Sequence, residues 1–247
     1  MTTSAISPRV GAIRERIAEV HARIEAACRR AGRDAESVRL IAVTKTFPVE
    51  VVRAAVAAGL SDFGENRVQE LVEKAESDPG AYLGGTIRWH LIGPLQRNKA
   101  KSTVETADVF HALDSDRLAK ELEKRAAREG RVLPCFVQVN VSGEATKSGV
   151  QPAACHAFLD RLQAYEHLRI VGLMTLAAPA ETDEELEAVV RPQFRRLHEL
   201  AESYDGGGRV RPDRLSMGMS GDFEVAVEEG ATDIRLGSAL FGPRPAP

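Results

Sequence analysis

Leu40 to Pro48 reads LIAVTKTFP, an apolar run of strand character that ends on a lysine. Lysine is almost never fully buried unless paired, and burial lowers its pKa toward nucleophilic use. Lys45 therefore either meets water at a strand end or is held there for chemistry. In the second case its free amine would attack an aldehyde or ketone and form a Schiff base. Two later stretches bear on that choice. RLSMGMSGDFEVAVEEG puts Ser216, Gly218, Ser220 and Gly221 between a short strand and an amphipathic helix, and TDIRLGSALFG puts Gly237 and Ser238 directly after another strand. Glycine lets backbone approach a ligand closely, serine hydroxyls donate to oxygen, and the free N–H groups of a helix start favour an anion. SMGMSG alone reads equally well as a small-residue turn with a Ser or Asp cap.

A Schiff-base lysine facing a phosphate site asks for a ligand with both an aldehyde and a phosphate. Pyridoxal 5'-phosphate (PLP) has both, and so do certain sugar phosphates. Arg235 ends a strand two residues before Gly237. A guanidinium cannot accept a proton, so beside a pyridine nitrogen it would keep that nitrogen unprotonated and the ring a poorer electron sink. The plainer reading of Arg235 is an ion pair with one of the chain's many carboxylates.

The elements that must position these residues follow from the pattern. Apolar residues at Val10, Ile13, Ile17, Val20 and Ile24 mark one face of a helix closed by Gly32. Strand-like runs then fall at 38–43, 62–63, 88–92, 109–112, 135–139, 170–174, 214–216 and 233–236. Helical stretches lie between them at 49–58, 66–76, 96–105, 116–129, 152–164, 182–202 and 222–229. Alternating strands and helices argue for an α/β fold with a parallel sheet, and eight repeats suggest one closed (β/α)8 barrel with an extra N-terminal helix. Were two strands to fail, an open doubly wound sheet would remain. In such a barrel the active site lies at the C-terminal strand ends, with phosphate held by the loops after strands seven and eight. Lys45 sits there with Gly64, Glu65 and Asn66, His90 and Gly93, Asp114 and Ser115, Asn140, Met174 and Thr175, Ser216, Met217 and Gly218, and Arg235, Gly237 and Ser238.

Residues 1–247 read as a single domain, because no linker, low-complexity tract or charge block divides them. A net charge of -3 gives no bulk attraction to nucleic acid or anionic lipid. The first twenty residues contain no apolar h-region, so a secretory signal is not expected, and no run approaches the roughly 18 apolar residues that span a bilayer. The 3 cysteines, Cys28, Cys135 and Cys155, lack metal-ligand spacing. A cytoplasmic protein with reduced thiols fits this usage.

IAVTKTFP, FGENRVQE, WHLIGPLQRNKAK, VNVSGEATKSGV, GLMTL and LSMGMSGDFEVAVEEGATDIRLGSALFG occur in this order over nearly the whole chain. Together they resemble the YggS/PROSC family of PLP-binding proteins, the pyridoxal phosphate homeostasis proteins. The resemblance implies a single barrel like the N-terminal domain of alanine racemase, with Lys45 holding PLP as an internal aldimine. It also implies that Ser216, Met217, Gly218, Gly237 and Ser238 surround the phosphate, that Arg235 faces the pyridine nitrogen, and that Asn66 and Met174 line the ring. Ser238 stands where many members carry threonine, which keeps the hydroxyl, and AAPAE after MTL is looser than the family pattern.

Three functions compete. A PLP carrier would bind, protect and release the cofactor, with PLP-dependent apo-enzymes as its partners, and the chain is expected to be a monomer. An amino-acid racemase needs a second acid/base opposite Lys45, which alanine racemases take from a tyrosine of a separate C-terminal domain. That domain is not expected here, and Tyr82, Tyr165 and Tyr204 fall away from strand ends. A Schiff-base aldolase would want an acid/base partner beside the lysine, and no paired carboxylate stands out. The carrier reading fits best. Of the remaining residues, Lys147 reads as a solvated loop lysine that could alternatively capture an aldehyde. Arg97, Lys99 and Lys101 read as a solvated helix start, His90 as a satisfied structural histidine and Cys135 as core.

Overall fold

The computed structural model describes residues 6–77, 86–144 and 147–243. The first half of the chain runs α1 (Ile6–Arg30), β1 (Arg39–Val43), α2 (Val49–Ala57), β2 (Asp62–Glu65), α3 (Val68–Glu76), β3 (Arg88–Leu91), α4 (Ala100–Thr106) and β4 (Val109–Leu113). The second continues with α5 (Asp116–Arg128), β5 (Leu133–Gln138), α6 (Cys155–Leu162), β6 (Leu168–Met174), α7 (Asp183–Glu185), α8 (Arg191–Glu202), β7 (Val210–Ser216), α9 (Phe223–Glu228), β8 (Asp233–Leu236) and α10 (Ser238–Phe241). Each strand pairs in parallel with the next, and β8 returns to β1 in a register running from Arg39↔Asp233 to Ala42↔Leu236. The sheet is a closed eight-stranded barrel.

Parallel strands are covered on both faces and so read as unbroken apolar runs; β4, Val-Phe-His-Ala-Leu, is buried along its whole length. Three elements differ from the sequence pattern. β7 begins four residues earlier than expected, because Arg211, Pro212 and Asp213 interrupt its apolar signal without interrupting the strand. The long helix over 182–202 is broken into α7, a π-helical turn at Leu186–Val190, and α8. Pro192, near the start of α8, cannot donate to the preceding turn, and the wider π turn absorbs that missing bond. The short helix α10 follows β8 where the sequence showed only glycine and serine.

α1 lies outside the repeat, packed on α2, α9 and α10. Val20, Ile24, Ala27 and Cys28 form its buried stripe. It ends as the sequence suggests: Gly32 has φ 65, and Arg33 N–H donates to Cys28 C=O at 2.8 Å, a left-handed cap. The Arg33 guanidinium then donates to Val227 and Ala231 carbonyls, tying α1 to the end of α9. All three cysteines are buried and unpaired with one another; burial pushes the Cys155 thiol up to about 11 and the Cys135 thiol up as well. No helix among the described residues is long and apolar enough to cross a membrane, and none of their His, Cys, Asp and Glu side chains form a group suited to a metal ion.

Candidate functional site

The C-terminal strand ends open into a cavity of about 680 Å³, within the size range of small-molecule sites. Lys45, Asn66, Lys147, Arg235, Gly237 and Ser238 are among the residues lining it. Hollows at the opposite end of the barrel, around Arg209 and Arg211, carry no lysine.

Lys45 follows β1 and is half-buried. Asn66 follows β2, and Gly93 after β3 brings it close: a Cβ on Gly93 would lie 2.3 Å from the Asn66 carbonyl oxygen. Only glycine permits that approach. Four of the residues expected at the site stand behind the cavity wall instead. Met174 and Met217 are buried at 1% and 0% exposure, and Ser216 is fully buried beneath Arg235. Gly218, with φ +97, turns its carbonyl to accept Arg235 N–H at 3.0 Å. A side chain at Gly218 would strike Ala226, so the loop after β7 needs glycine both for its backbone angle and for its packing.

The cavity's corner between β7 and β8 is formed by Ser220 and Gly221, with Gly237 and Ser238 opposite. The backbone N–H groups of these four residues donate to no acceptor among the described residues. A Cβ would meet nothing within 4 Å at Gly221 and only Val43 at Gly237. Open space beside unspent N–H donors suits an oxyanion. Asp222, at the edge of this corner, is occupied in capping the loop, accepting Met219 N–H through Oδ1. Burial pushes its carboxyl above the usual range.

Beneath the cavity, the barrel's lumen is polar rather than aliphatic. Arg235 Nη1 donates to Ser216 Oγ at 2.6 Å and Nη2 to the Thr175 carbonyl at 2.8 Å. Ser216 Oγ lies 2.9 Å from His111 Nδ1, His111 Nε2 is 2.9 Å from His90 Nδ1, and His90 Nε2 is 3.0 Å from Asp62 Oδ1. Arginine only donates and a carboxylate only accepts, so the ends set the direction of every link. Each histidine carries its proton on Nε2, and the hydroxyl proton of Ser216 points at His111. Burial holds His90 below the usual imidazole range and His111 well below it, so both are neutral at pH 7. At Asp62 burial alone would raise the carboxyl, but the bond from His90, then the Ser61 bond and the Arg39 charge, outweigh it and hold the group at about 2. Arg235 itself is lowered to about 10 by burial, against the opposing charges of Asp222 and Asp233.

His90 is thus a satisfied interior histidine, as its sequence context suggests. His111 gave no sequence signal beyond one histidine inside an apolar strand. Lys147 differs from expectation: it is half-buried on the cavity wall, with Nζ 2.6 Å from Glu144 and 3.0 Å from the Ala177 carbonyl. Lys101 pairs with Glu105 on an exposed surface, as a solvated helix start would. Tyr165 and Tyr204 lie outside the cavity, with the Tyr204 hydroxyl donating to Asp160 on the barrel's outer side; Tyr82 lies outside the described residues.

Comparison with known proteins agrees with this geometry. The sequence pattern of the alanine racemase N-terminal domain family matches residues 17–245. The pyridoxal phosphate homeostasis protein of Aquifex aeolicus is 42% identical over 230 residues, covering 93% of this chain and 97% of that one. The protein of the same name from Pseudomonas aeruginosa is 43% identical over 233 residues, covering 94% and 96%. The solved structure of PipY from Synechococcus elongatus, with PLP bound, matches with a TM-score of 0.76 and 38% identity over 93% of this chain and 100% of that one. With a barrel of this topology and relatives similar along nearly its full length, the chain belongs to the alanine racemase N-terminal domain family and, within it, to the pyridoxal phosphate homeostasis proteins.

Proposed function

We propose that this protein binds PLP through a Schiff base on Lys45 and serves PLP homeostasis, holding the cofactor and giving it up to apo-enzymes rather than turning over a substrate. The observation that carries the reading is the placement of Lys45, Arg235 and the Ser220–Gly221 and Gly237–Ser238 backbone around one cavity. A bound PLP supplies an aldehyde for the lysine and an electron-accepting ring. The chain's own residues supply the rest. Lys45 provides the amine, Arg235 donates toward the ring nitrogen without protonating it, and Asn66 borders the ring with Met174 beneath the floor. The N–H groups of Ser220, Gly221, Gly237 and Ser238 receive the phosphate, and Ser216, Met217 and Gly218 form the framework behind them.

The carrier role follows from what faces the lysine. Among the described residues lining the cavity there is no tyrosine, the carboxylate of Asp222 is engaged in the loop, and the second lysine, Lys147, is held by Glu144 and the Ala177 carbonyl. Efficient proton transfer at a substrate carbon needs a second positioned acid or base. The test loads the protein with PLP, removes free cofactor, and adds an excess of a PLP-dependent apo-enzyme. Recovery of that enzyme's activity, with matching loss of absorbance from the loaded protein, is expected. PLP that stays bound against excess acceptor would contradict the delivery role.

A further inference from the structure

The backbone on the C-terminal side of Lys45 adopts a conformation its sequence disfavours. Thr46 has φ 68, and it alone among the described non-glycine residues has a positive φ. A β-branched side chain resists this left-handed geometry, so the surroundings must hold it. Such outliers persist where the structure over-determines them, and they cluster at functional sites.

The restraint comes from behind the barrel wall. Side chains alternate across a strand, so the turn that sends Lys45 to the cavity sends Thr44 toward α3. There Lys74 Nζ donates to the Thr44 carbonyl at 2.7 Å and to Glu65 Oε1 at 2.6 Å. Thr44 Oγ1 donates to the same Glu65 oxygen at 2.6 Å. Glu70, one helical turn before Lys74, accepts Thr46 N–H through Oε2 at 2.9 Å and lies 3.9 Å from Lys74 Nζ. Polar groups of the residues on both sides of Lys45 are therefore gripped by two side chains of α3. The pair at the centre of this grip is buried, with Lys74 at 6% and Glu65 at 0% exposure, and Glu65 Oε2 has no partner. Taking an ion pair out of water is weak evidence for stability, since apolar residues of the same volume often do as well. A role in placing the neighbouring lysine accounts for its presence.

We propose that Glu65, Glu70 and Lys74 form a clamp that positions Lys45, with Lys74 the central positioning residue; this rests on the reading of Lys45 as the PLP-holding lysine. The clamp sets the direction in which the Lys45 side chain leaves the main chain. Loosening it lets Thr46 relax toward ordinary backbone angles and turns the amine away from the cofactor's aldehyde.

Two variants test this, Lys74→Met and Glu70→Ala, each checked for folding by circular dichroism and thermal melting. The first readout is PLP affinity from the absorbance of the Schiff base. The second needs no cofactor: the pH profile of Lys45 acetylation by acetic anhydride, mapped by mass spectrometry with Lys101 as internal reference. PLP affinity is expected to fall about tenfold or more in Lys74→Met, from misplacement of the reacting amine. In Glu70→Ala it should fall about threefold to tenfold, because only part of the free energy of the one lost charge-assisted bond to Thr46 reaches the placement of the amine. The Lys45 labelling profile should shift in both. Thr46→Gly removes the strain that Glu70 restrains, so Glu70→Ala should lose less affinity in that background. A purely structural role would lower the melting temperature and leave the profile in place. Folded variants with affinity and profile within about twofold of the unmodified protein would overturn the clamp. If Lys74→Met does not fold, Glu70→Ala decides. If the unmodified protein takes up no PLP, the functional reading fails, and the labelling profile alone decides the clamp.

Discussion

Replacing Arg235 with methionine is expected to leave the barrel folded and to weaken PLP binding by about 10- to 100-fold. The two effects separate because they rest on different quantities. Removing a buried guanidinium relieves its desolvation and an apolar side chain of similar length fills the space, which offsets the one buried carbonyl left without a donor, so the net change in stability should stay within about 3 kcal/mol. Of the groups left behind, Ser216 still bonds His111 and Asp233 still pairs with Arg214 and Arg39, while the buried Thr175 carbonyl loses the bond it accepts from Arg235. Binding loses a donor to the ring nitrogen, and a hydrogen bond from a charged group is worth about 1.5–3 kcal/mol. Titration of the variant with PLP, beside its urea denaturation curve, measures both. Equal affinity in variant and unmodified protein would mean that Arg235 does not face the cofactor.

The second large effect concerns pH. An unfolded chain's histidines titrate near about 6.5, whereas burial lowers His90 and His111 in the native protein. The depressed native values mean that below about 6.5 the unfolded state binds protons that the native state refuses, so stability falls with pH from there toward the native pKa values. Between pH 7 and 5 the ceiling is about 2 kcal/mol for each histidine, near 4 for the two. That is a large share of a typical stability of about 5–15 kcal/mol. Glu65 and Asp222, raised by burial, contribute with the opposite sign as they take protons in the native state, and offset part of the loss. Asp62, held at about 2, adds a further loss only at pH values below about 4, as the pH falls through its native value. Denaturation curves at pH 7 and 5 should show the decline, and His111→Phe should show about half of it, whatever its stability at pH 7. A variant with the full decline would place the sensitivity elsewhere.

How much of this was legible in the sequence depends on the distance over which each feature is encoded. Most of the strands were readable because burial on both faces imposes a local apolar run, β2 (Asp-Phe-Gly-Glu) and β7 being the weakest, and Lys45, Arg235 and Gly237 because they terminate such runs. β7 extends beyond its apolar signal because Arg211 and Asp213 carry polar side chains on a strand whose backbone pairing does not depend on them. Ser220 and Gly221 looked like turn residues, which they are; that they face Gly237 and Ser238 follows only from closure of the barrel. His111 could not be separated from core, since its role depends on residues 21 and 105 positions away. The grip of Lys74 on Thr44 spans 30 positions and required α3 to be laid against β1 and β2. Lys147 looked solvated because a Gly-rich loop gives no sign of the Ala177 carbonyl that anchors it.

The central claim is that Lys45 is the residue that holds PLP. The most direct test is borohydride reduction of the PLP-loaded protein, followed by peptide mapping by mass spectrometry, beside a Lys45→Ala variant. A phosphopyridoxyl group fixed on Lys45, with a visible absorbance band that reduction removes and the variant lacks, is the predicted result. A group fixed on another lysine, or a band undiminished in Lys45→Ala, would contradict the account.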